Sequence, residues 1–459
     1  MTLFMKKIFS YLLILSTCLS SLQAQNTQSS ATADSLYDYN KAHNLQECLQ
    51  YGLERNFDLR IVRNEEIIAG NNATRGNAGQ LPSIALSGGY SGTAYSNDYT
   101  WANDSLSHSP ASYNGSLNAA LTAEWTLFNG FSIQTSYARL KELKAMGELN
   151  TRIALEDFVA SLSAEYYNYV KEQLSLANLK ASMEFSQDRL YIVEASYGIG
   201  AASGLDYQQA QVDFNADHSA YITQLEVVAA SRFKLNQMMA IDSIEAPLIL
   251  ADSTIAIDTC IVRDSIWMAV QENNAQLLMA YKNHRLSQLD LKQAQSRNYP
   301  YVKLNGGYQI RDNSFENSTY HRQTQMGPQF GISAGITLFD GMNRRREQQN
   351  ARIQMENKQL QIDQFQLALK TDMANLWTAY TNNIELYKIE RDNQIVAQIN
   401  FDIAMERYRL RELSGIELRE AQLSLLQSEE RLLRAEYNIK LCEISLLQMS
   451  GQLLDMLGE

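Results

Sequence analysis

Proline is scarce in this chain: Pro82, Pro110, Pro247, Pro300 and Pro328 are the only five in 459 residues. From Phe131 to about Tyr197 there is none, and one glycine, Gly147. From Met342 to about Leu413 there is neither. Proline would remove a backbone donor and clash with the preceding turn, so nothing in either stretch breaks a helix. A 67-residue helix would run about 100 Å, several times the globular mean. Long apolar runs are also missing. Beyond the N-terminal leader, no segment approaches the roughly 18 uninterrupted apolar residues that a spanning helix needs. Chemistry-bearing patterns are absent too. The five histidines (His43, His108, His218, His284, His321) show no metal spacing and no His-Glu-x-x-His. There is no phosphate-cradling Gly-x-x-x-x-Gly-Lys-[Ser/Thr] loop, so no cofactor and no enzymatic activity are expected. Met238-Met239 and the other methionines read as core filling rather than soft-metal ligands. The net charge of −12 makes nucleic acid a poor partner.

The start of the chain reads as a secretory signal over 1–24. Lys6-Lys7 precede an apolar run from Ile8 to Leu19, and Leu22-Gln23-Ala24 suits cleavage before Gln25. Leu15-Ser16-Thr17-Cys18 is a poor lipobox, so lipidation of Cys18 is the weaker alternative. Cleavage removes two lysines and no acids, which moves the net charge to −14. Cys48, Cys260 and Cys442 then remain, widely spaced and odd in number. They make no disulfide framework and read as buried small hydrophobes. Residues 25–43 are polar and read as an extended or disordered leader.

What the chain does contain, it contains twice. Leu81-Pro82 through Gly88-Gly89-Tyr90 returns as Tyr299-Pro300 through Gly306-Gly307-Tyr308. Leu127-Phe128-Asn129-Gly130 returns as Leu338-Phe339-Asp340-Gly341, an offset of 211 that then holds from Tyr197/Tyr408 to Ala210-Gln211/Ala421-Gln422. Length varies only in one loop of each half, which places a geometric constraint on the helices. The repeats are 44–240 and 264–459, joined by an equatorial connector at 241–263. That connector, with Pro247 and a β-branched run from Ile255 to Val262, reads as a partly extended belt outside the helical body. Asn44 with Glu47 resembles a capping box opening a helical pattern that extends to Gly79.

Each half also holds two alternating segments, about 81–95 and 112–128, then about 300–312 and 326–339. In the second of these, Tyr113, Leu117, Leu121, Trp125 and Leu127 face opposite to Asn114, Ser116, Asn118, Thr122 and Glu124. Period-two alternation of this length fits a transmembrane β-strand, although a half-buried soluble strand looks the same in a short window. Length, the signal and the small or charged residues on one face favour the membrane. Four strands cannot close, and an open edge in lipid costs several kcal/mol per unsatisfied backbone group. Copies must therefore pool strands: two chains give eight, three give twelve, and the small inward residues favour the wider closure. Apolar residues at three- and four-residue steps along the long helices, such as Leu155, Val159, Leu162, Tyr166 and Val170, support coiled-coil packing.

The duplicated order of helix, Pro-strand, strand, Leu-Phe-[Asn/Asp]-Gly, long helix, Tyr…Gly turn and Ala-Gln helix resembles the TolC-type outer-membrane efflux proteins over about 44–456. The resemblance implies a mainly α fold with a membrane β-barrel part. Four strands per chain would form a shared twelve-stranded barrel, continued by an α-helical tunnel, in a homotrimer. The implied role is the passive outer-membrane exit of a tripartite efflux pump or type I secretion system, with its tunnel in the periplasm of a Gram-negative-type cell. Its implied partners are outer-membrane lipid, a periplasmic adaptor (membrane fusion protein) and an inner-membrane pump of RND or ABC type. The periplasmic end would open by iris-like untwisting.

Aligned with that family, the periplasmic gate falls on Tyr408, Glu417, Glu420 and, in the first half, Asp206. Glu417 and Glu420 share a helix face, so three copies would ring one axis with carboxylates; a plain solvated face is the alternative. The family's turn glycine is kept as Gly200 but is Arg411 in the second half, and its gate arginine corresponds to Leu413, leaving Arg409 or Arg411 as substitutes. Gly198, Gly200, Ser203, Gly204, Ser414 and Gly415 would form the adaptor-docking tip. Phe128, Gly130, Phe339 and Gly341 would form the barrel-to-helix junction. Arg344-Arg345-Arg346 oppose the helix macrodipole by a few tenths of a kcal/mol each, so contact with lipid headgroups, or simple solvation, must explain them. The competing function is a periplasmic helical-hairpin structural or adaptor protein without a pore, although no lipoyl-like run of short strands is visible.

Overall fold

The computed structural model describes residues 41–316 and 319–457. The expected signal, Cys18 and most of the leader lie outside them. After a two-residue strand β1 (Ala42–His43), the side chain of Asn44 accepts the Glu47 amide at 2.8 Å and opens α1 (Leu45–Arg55). The reciprocal half of a capping box is replaced, because the Glu47 carboxylate meets Lys41 and His43 instead. Asn56 starts a second helix, α2 (Phe57–Asn72), by accepting the amides of Asp58 and Leu59, so the expected single helix is two.

Next come β2 (Ser83–Thr100), β3 (Leu106–Asn129), α3 (Ser132–Gly198) and α4 (Gly204–Met238). A short β4 (Ile249–Leu250) lies in the connector. The second half repeats the plan with α5 (Arg263–Asn273), α6 (Ala275–Ser296), β5 (Tyr301–Phe315), β6 (Arg322–Gly335), α7 (Asn343–Arg409) and α8 (Gly415–Ser450). Both α3 and α7 are 67 residues long. No described helix is long and apolar enough to cross a membrane.

The four long strands make one curled antiparallel sheet in the order β2-β3-β5-β6. The β2–β3 hairpin continues to Thr100↔Leu106, whereas β5 runs out at Asn114↔Phe315, so the hairpin stands beyond the rest of the sheet. At the opposite end β6 stops at Tyr301↔Gly335. Residues 336–339 pair with no described strand, while Asn129 still pairs with Tyr301. Phe128 therefore sits in a strand and Phe339 in an exposed loop.

The helices form two four-membered layers. Near the sheet the neighbours run α2, α3, α6, α7; at the far end they run α4, α3, α8, α7. Between the layers lie two apolar clusters. One gathers Cys48, Leu49, Val159, Leu162, Tyr166, Leu235, Met239 and Leu248; the other gathers Ile266, Val270, Leu369, Met373, Tyr380, Ile439 and Cys442. Two of the three described cysteines are thus core residues, while Cys260 is exposed.

The connector is part of this core rather than outside it. Ile241, Leu248 and Ile255 are buried. Tyr169 donates to the Leu248 carbonyl at 3.2 Å and Tyr380, its counterpart in the second repeat, to that of Asp258 at 2.7 Å. β4 also pairs in parallel with β1. β-branched residues in an extended segment supply apolar surface, and its free carbonyls are taken up by tyrosines on the long helices.

One feature of the packing is not visible in the repeat. Phe185 on α3 meets Phe401 on α7 edge-to-face at 5.1 Å, and these are 216 positions apart rather than 211. The second helical hairpin is therefore slid toward the sheet by five residues, about 7 Å.

Candidate functional site

The ends of the two hairpins are built alike. After α3, the Gly200 amide bonds the Tyr197 carbonyl and the Ala201 amide that of Ser196; after α7, Arg411 bonds Tyr408 and Glu412 bonds Arg407. This is a Schellman closure in both halves, and it needs a left-handed residue. Gly200 takes φ +76° and Arg411 φ +63°, so the arginine adopts the conformation its glycine counterpart reaches without strain. Ser203 then caps α4 in a full capping box with Asp206, and Ser414 caps α8 in the same way with Glu417.

Two expected gate carboxylates are thus occupied locally. Asp206 Oδ2 accepts from Ser203 Oγ at 2.7 Å, and Glu417 Oε2 from Ser414 Oγ at 2.7 Å. Those bonds hold the Glu417 carboxyl below its ordinary range. Glu420 is exposed one turn further on, and Tyr408 is half-buried beside Ala404, Leu418 and Ala421. Gly198 ends α3, Gly204 opens α4 against the Tyr197 ring, and Tyr197 stacks on Tyr207 at 5.5 Å. Ile199, Leu205, Leu410 and Ile416 are exposed around these turns. Leu413 packs with the Tyr408 cluster rather than reaching a charge.

Above the turns lies a polar cluster that sequence reasoning missed. Arg419 on α8 grips Asp217 on α4 at two points, Nη1–Oδ2 2.6 Å and Nη2–Oδ1 2.7 Å. Gln422, one turn along α8, donates from Nε2 to Ser182 Oγ at 2.8 Å, Ser186 Oγ at 3.1 Å and Asp217 Oδ2 at 3.2 Å. Ser186 also donates to Asp217. Arg189 on α3 bonds Asp213 at 2.9 Å, and Asp213 lies 3.9 Å from Arg419 Nε. Three helices are tied here, and Asp217, Arg189 and Gln422 are only 4–5% exposed. Ser182 and Ser186, four apart on one face of α3, are small enough for the α8 side chains to cross to α4. The Nε and Nη1 of Arg189 are buried without a hydrogen-bond partner among the described residues. In sequence these residues resemble any solvated helix face, and only the packing register identifies them.

At the other end of the long helices, Gly130 and Phe131 take φ +57° and +65°, and Gly341 and Met342 take φ +69° and +65°. The same left-handed pair turns strand into helix in both halves. A Cβ on Gly130 would lie 2.1 Å from the Ser296 carbonyl oxygen, whereas one on Gly341 would meet only the Asn343 side chain at 3.7 Å. Arg344 is committed to this turn: its Nε lies 3.2 Å from Asp340, and its guanidinium donates to the Leu338 and Arg297 carbonyls. Arg345 and Arg346 are exposed. Among the described residues no group of three His, Cys, Asp or Glu side chains could hold a metal.

No curated protein sequence matches this chain significantly. Its fold is shared with solved outer-membrane channels at low identity. VceC of Vibrio cholerae aligns over 89% of this chain and 96% of its own, at TM-score 0.71 and 14% identity. CmeC of Campylobacter jejuni aligns over 93% and 90%, at TM-score 0.72 and 14% identity. The open-state MtrE channel of Neisseria gonorrhoeae aligns over 89% of each chain, at TM-score 0.64 and 16% identity. A family profile described as outer membrane efflux protein matches residues 48–240 and 268–452, nearly all of both repeats. With the TolC-like architecture of curled sheet and paired 67-residue helices, this match means that the chain belongs to the outer membrane efflux protein family.

Proposed function

We propose that the chain is the passive exit channel of a tripartite efflux pump or type I secretion system, assembled as a homotrimer with its helical end in the periplasm. The observation that carries this reading is the pair of open sheet edges. Among the described residues β2 and β6 each lack a neighbour on one side, and they expose Ile84, Leu86, Phe330 and Ile332. Phe330 is 90% exposed. Such edges are untenable in lipid unless other copies pair with them. Three copies bring the strands to twelve, wide enough for a lumen.

In that assembly the turns around Gly198, Gly200, Ser203, Gly204, Ser414 and Gly415 point to a periplasmic adaptor, which links the channel to an inner-membrane pump of RND or ABC type. The exposed apolar residues beside them suit such docking. Phe128, Gly130, Phe339 and Gly341 mark the passage from barrel to tunnel. Arg345 and Arg346, with no structural duty comparable to that of Arg344, remain the side chains suited to lipid headgroups. Asp206, Tyr408, Glu417 and Glu420 line the narrow end, where six copies of Glu417 and Glu420 together would favour cations.

Planar-bilayer recording tests this reading. The purified protein should form cation-selective pores. Glu417→Gln with Glu420→Gln keeps the capping box, because glutamine serves at that position. It should reduce cation selectivity and block by multivalent cations. Unchanged reversal potentials would remove the acidic ring from the account, and a water-soluble, non-conducting monomer would overturn the channel itself.

A further inference from the structure

We propose that Arg311 makes the sheet end of the channel favour anions, with a sign opposite to that of the carboxylates at the helical end. This rests on the channel reading above. The strand register supplies the geometry. Rows of paired residues cross all four strands, and one face carries rows such as Leu86, Leu121, Tyr308 and Pro328. The intervening residues belong to the other face, where one row is Gly89, Asn118, Arg311 and Gln325. In a closed barrel the apolar face meets lipid and the polar face lines the lumen.

Over the paired stretches 83–95, 112–126, 301–313 and 323–335, the lumenal face carries three charged residues: Glu124, Lys303 and Arg311. Glu124 pairs directly with Ser83 and Asn305, which sets it diagonal to Lys303 on the same face. Those two charges offset each other. Arg311 has no such counterweight. Neutral Asn118 and Gln325 flank it, and Asn313, two residues on, accepts from Ser116 Oγ at 2.8 Å. Its chain neighbour Asp312 belongs to the lipid face, where Arg322 and Thr324 each donate to it at 2.8 Å. The next carboxylate along the chain, Glu316, accepts the Tyr113 amide and lies about 17 Å away by strand rise. Lys303 lies about 27 Å away in the other direction. Both separations exceed the Debye length of about 8 Å at physiological salt, so Arg311 sets the local field. Twelve tilted strands enclose a passage about 24 Å across between backbones. Three exposed guanidinium groups then stand within about one Debye length of its axis. Rings of arginine or lysine favour anions in pores, and this one suits solutes bearing carboxylate, sulfate or phosphate.

Planar-bilayer recording with a polyvalent anion on one side tests the ring. Protein added to one chamber leaves its helical end there, because a tunnel about 100 Å long cannot cross the membrane. Tripolyphosphate in the opposite chamber therefore meets the sheet end first. From that side it should block wild-type current at a concentration about tenfold lower than from the helical side, the scale of focusing by a charged cleft. Arg311→Gln should raise that blocking concentration about tenfold, whereas Arg311→Lys, which keeps the charge, should not. Glu124→Gln with Lys303→Gln removes a balanced pair and should leave the block in place. Reversal potential is not the readout, since the narrower helical end dominates it. Where Arg311→Gln does not assemble, the wild type still decides. Raising salt from 0.1 to 1 M shortens the Debye length from about 10 to 3 Å and should abolish the block. Equal block of wild type and Arg311→Gln, or a block indifferent to side or salt, overturns the arginine ring alone. A wild type that forms no pore overturns the channel reading beneath it.

Discussion

Gly130 and Gly341 occupy equivalent positions of the repeat, yet the structure asks different things of them. Both need a left-handed backbone, which costs an L-residue about 1–2 kcal/mol. Only Gly130 also faces a backbone carbonyl, that of Ser296, at a distance no Cβ tolerates. Gly130→Ala should therefore cost about 3 kcal/mol, and Gly341→Ala about 1 kcal/mol. The loss of the heat-modifiable folded band on gels, followed with temperature, would rank them; equal loss would deny the asymmetry. The two Leu-Phe-x-Gly motifs were legible as turns from sequence, but not this difference, because the obstructing carbonyl comes from α6. Arg411 is a similar case. Its alignment with Gly200 was visible, and the shared hydrogen-bond pattern shows that the arginine takes the same left-handed conformation as the glycine.

At the scale of an element, α8 carries carboxylates at seven-residue intervals, Glu429, Glu436 and Glu443, and burial raises the pKa of each. For Glu443 the rise persists against the opposing Lys440 ammonium. A raised carboxyl keeps a proton in the folded state that the unfolded chain has released. Its contribution is therefore present below the ordinary value of 4.5 and lost as pH climbs through the folded pKa. Glu165 on α3 runs the other way. Burial pushes it up, but Lys234, Ser231 and Asn168 outweigh that and leave it lowered, so its contribution fades as pH falls. Glu436→Gln should raise the unfolding temperature at pH 7 and leave it unchanged near pH 4; Glu165→Gln should lower it at pH 7. Circular dichroism across that range, in detergent, checks both signs. The repeat located α8 as the Ala-Gln helix that follows the second turn, although Gly451 ends it at Ser450. It was silent on which glutamates face the core, because a heptad of Glu is also what a solvated face carries.

At the scale of the molecule, the outer face of α7 is the clearest mark of incompleteness after the sheet edges. Ile389, Val396 and Ile403 recur every seven residues, Leu410 follows at the same interval as the C-cap, and all are exposed in the single chain. A strict seven-residue repeat forms one stripe along a supercoiled helix and calls for a partner. α7 is the end member of both helical layers, so the next copy is the natural cover. Val396→Asp should block trimer formation, since each such side chain buried at the interface contributes about 1.5–3 kcal/mol. Light scattering in detergent should then report monomers of normal helix content; intact trimers would show that this stripe faces something else. The four alternating strands were legible in sequence, and the proposed pooling between copies rests on their number. The seating of the connector was not, because its apolar residues look like an extended linker until Tyr169 and Tyr380 are seen to hold its carbonyls.

The five-residue slide between the hairpins also has an outcome for any ring built from these chains. Its lower margin would not be level: long and short teeth would alternate, with the Tyr197–Tyr207 turns standing proud and the Arg411 turns set back by about 7 Å. A collar brought up from below would touch the longer teeth first, at one point per subunit, and would engage the shorter ones only after meshing between them.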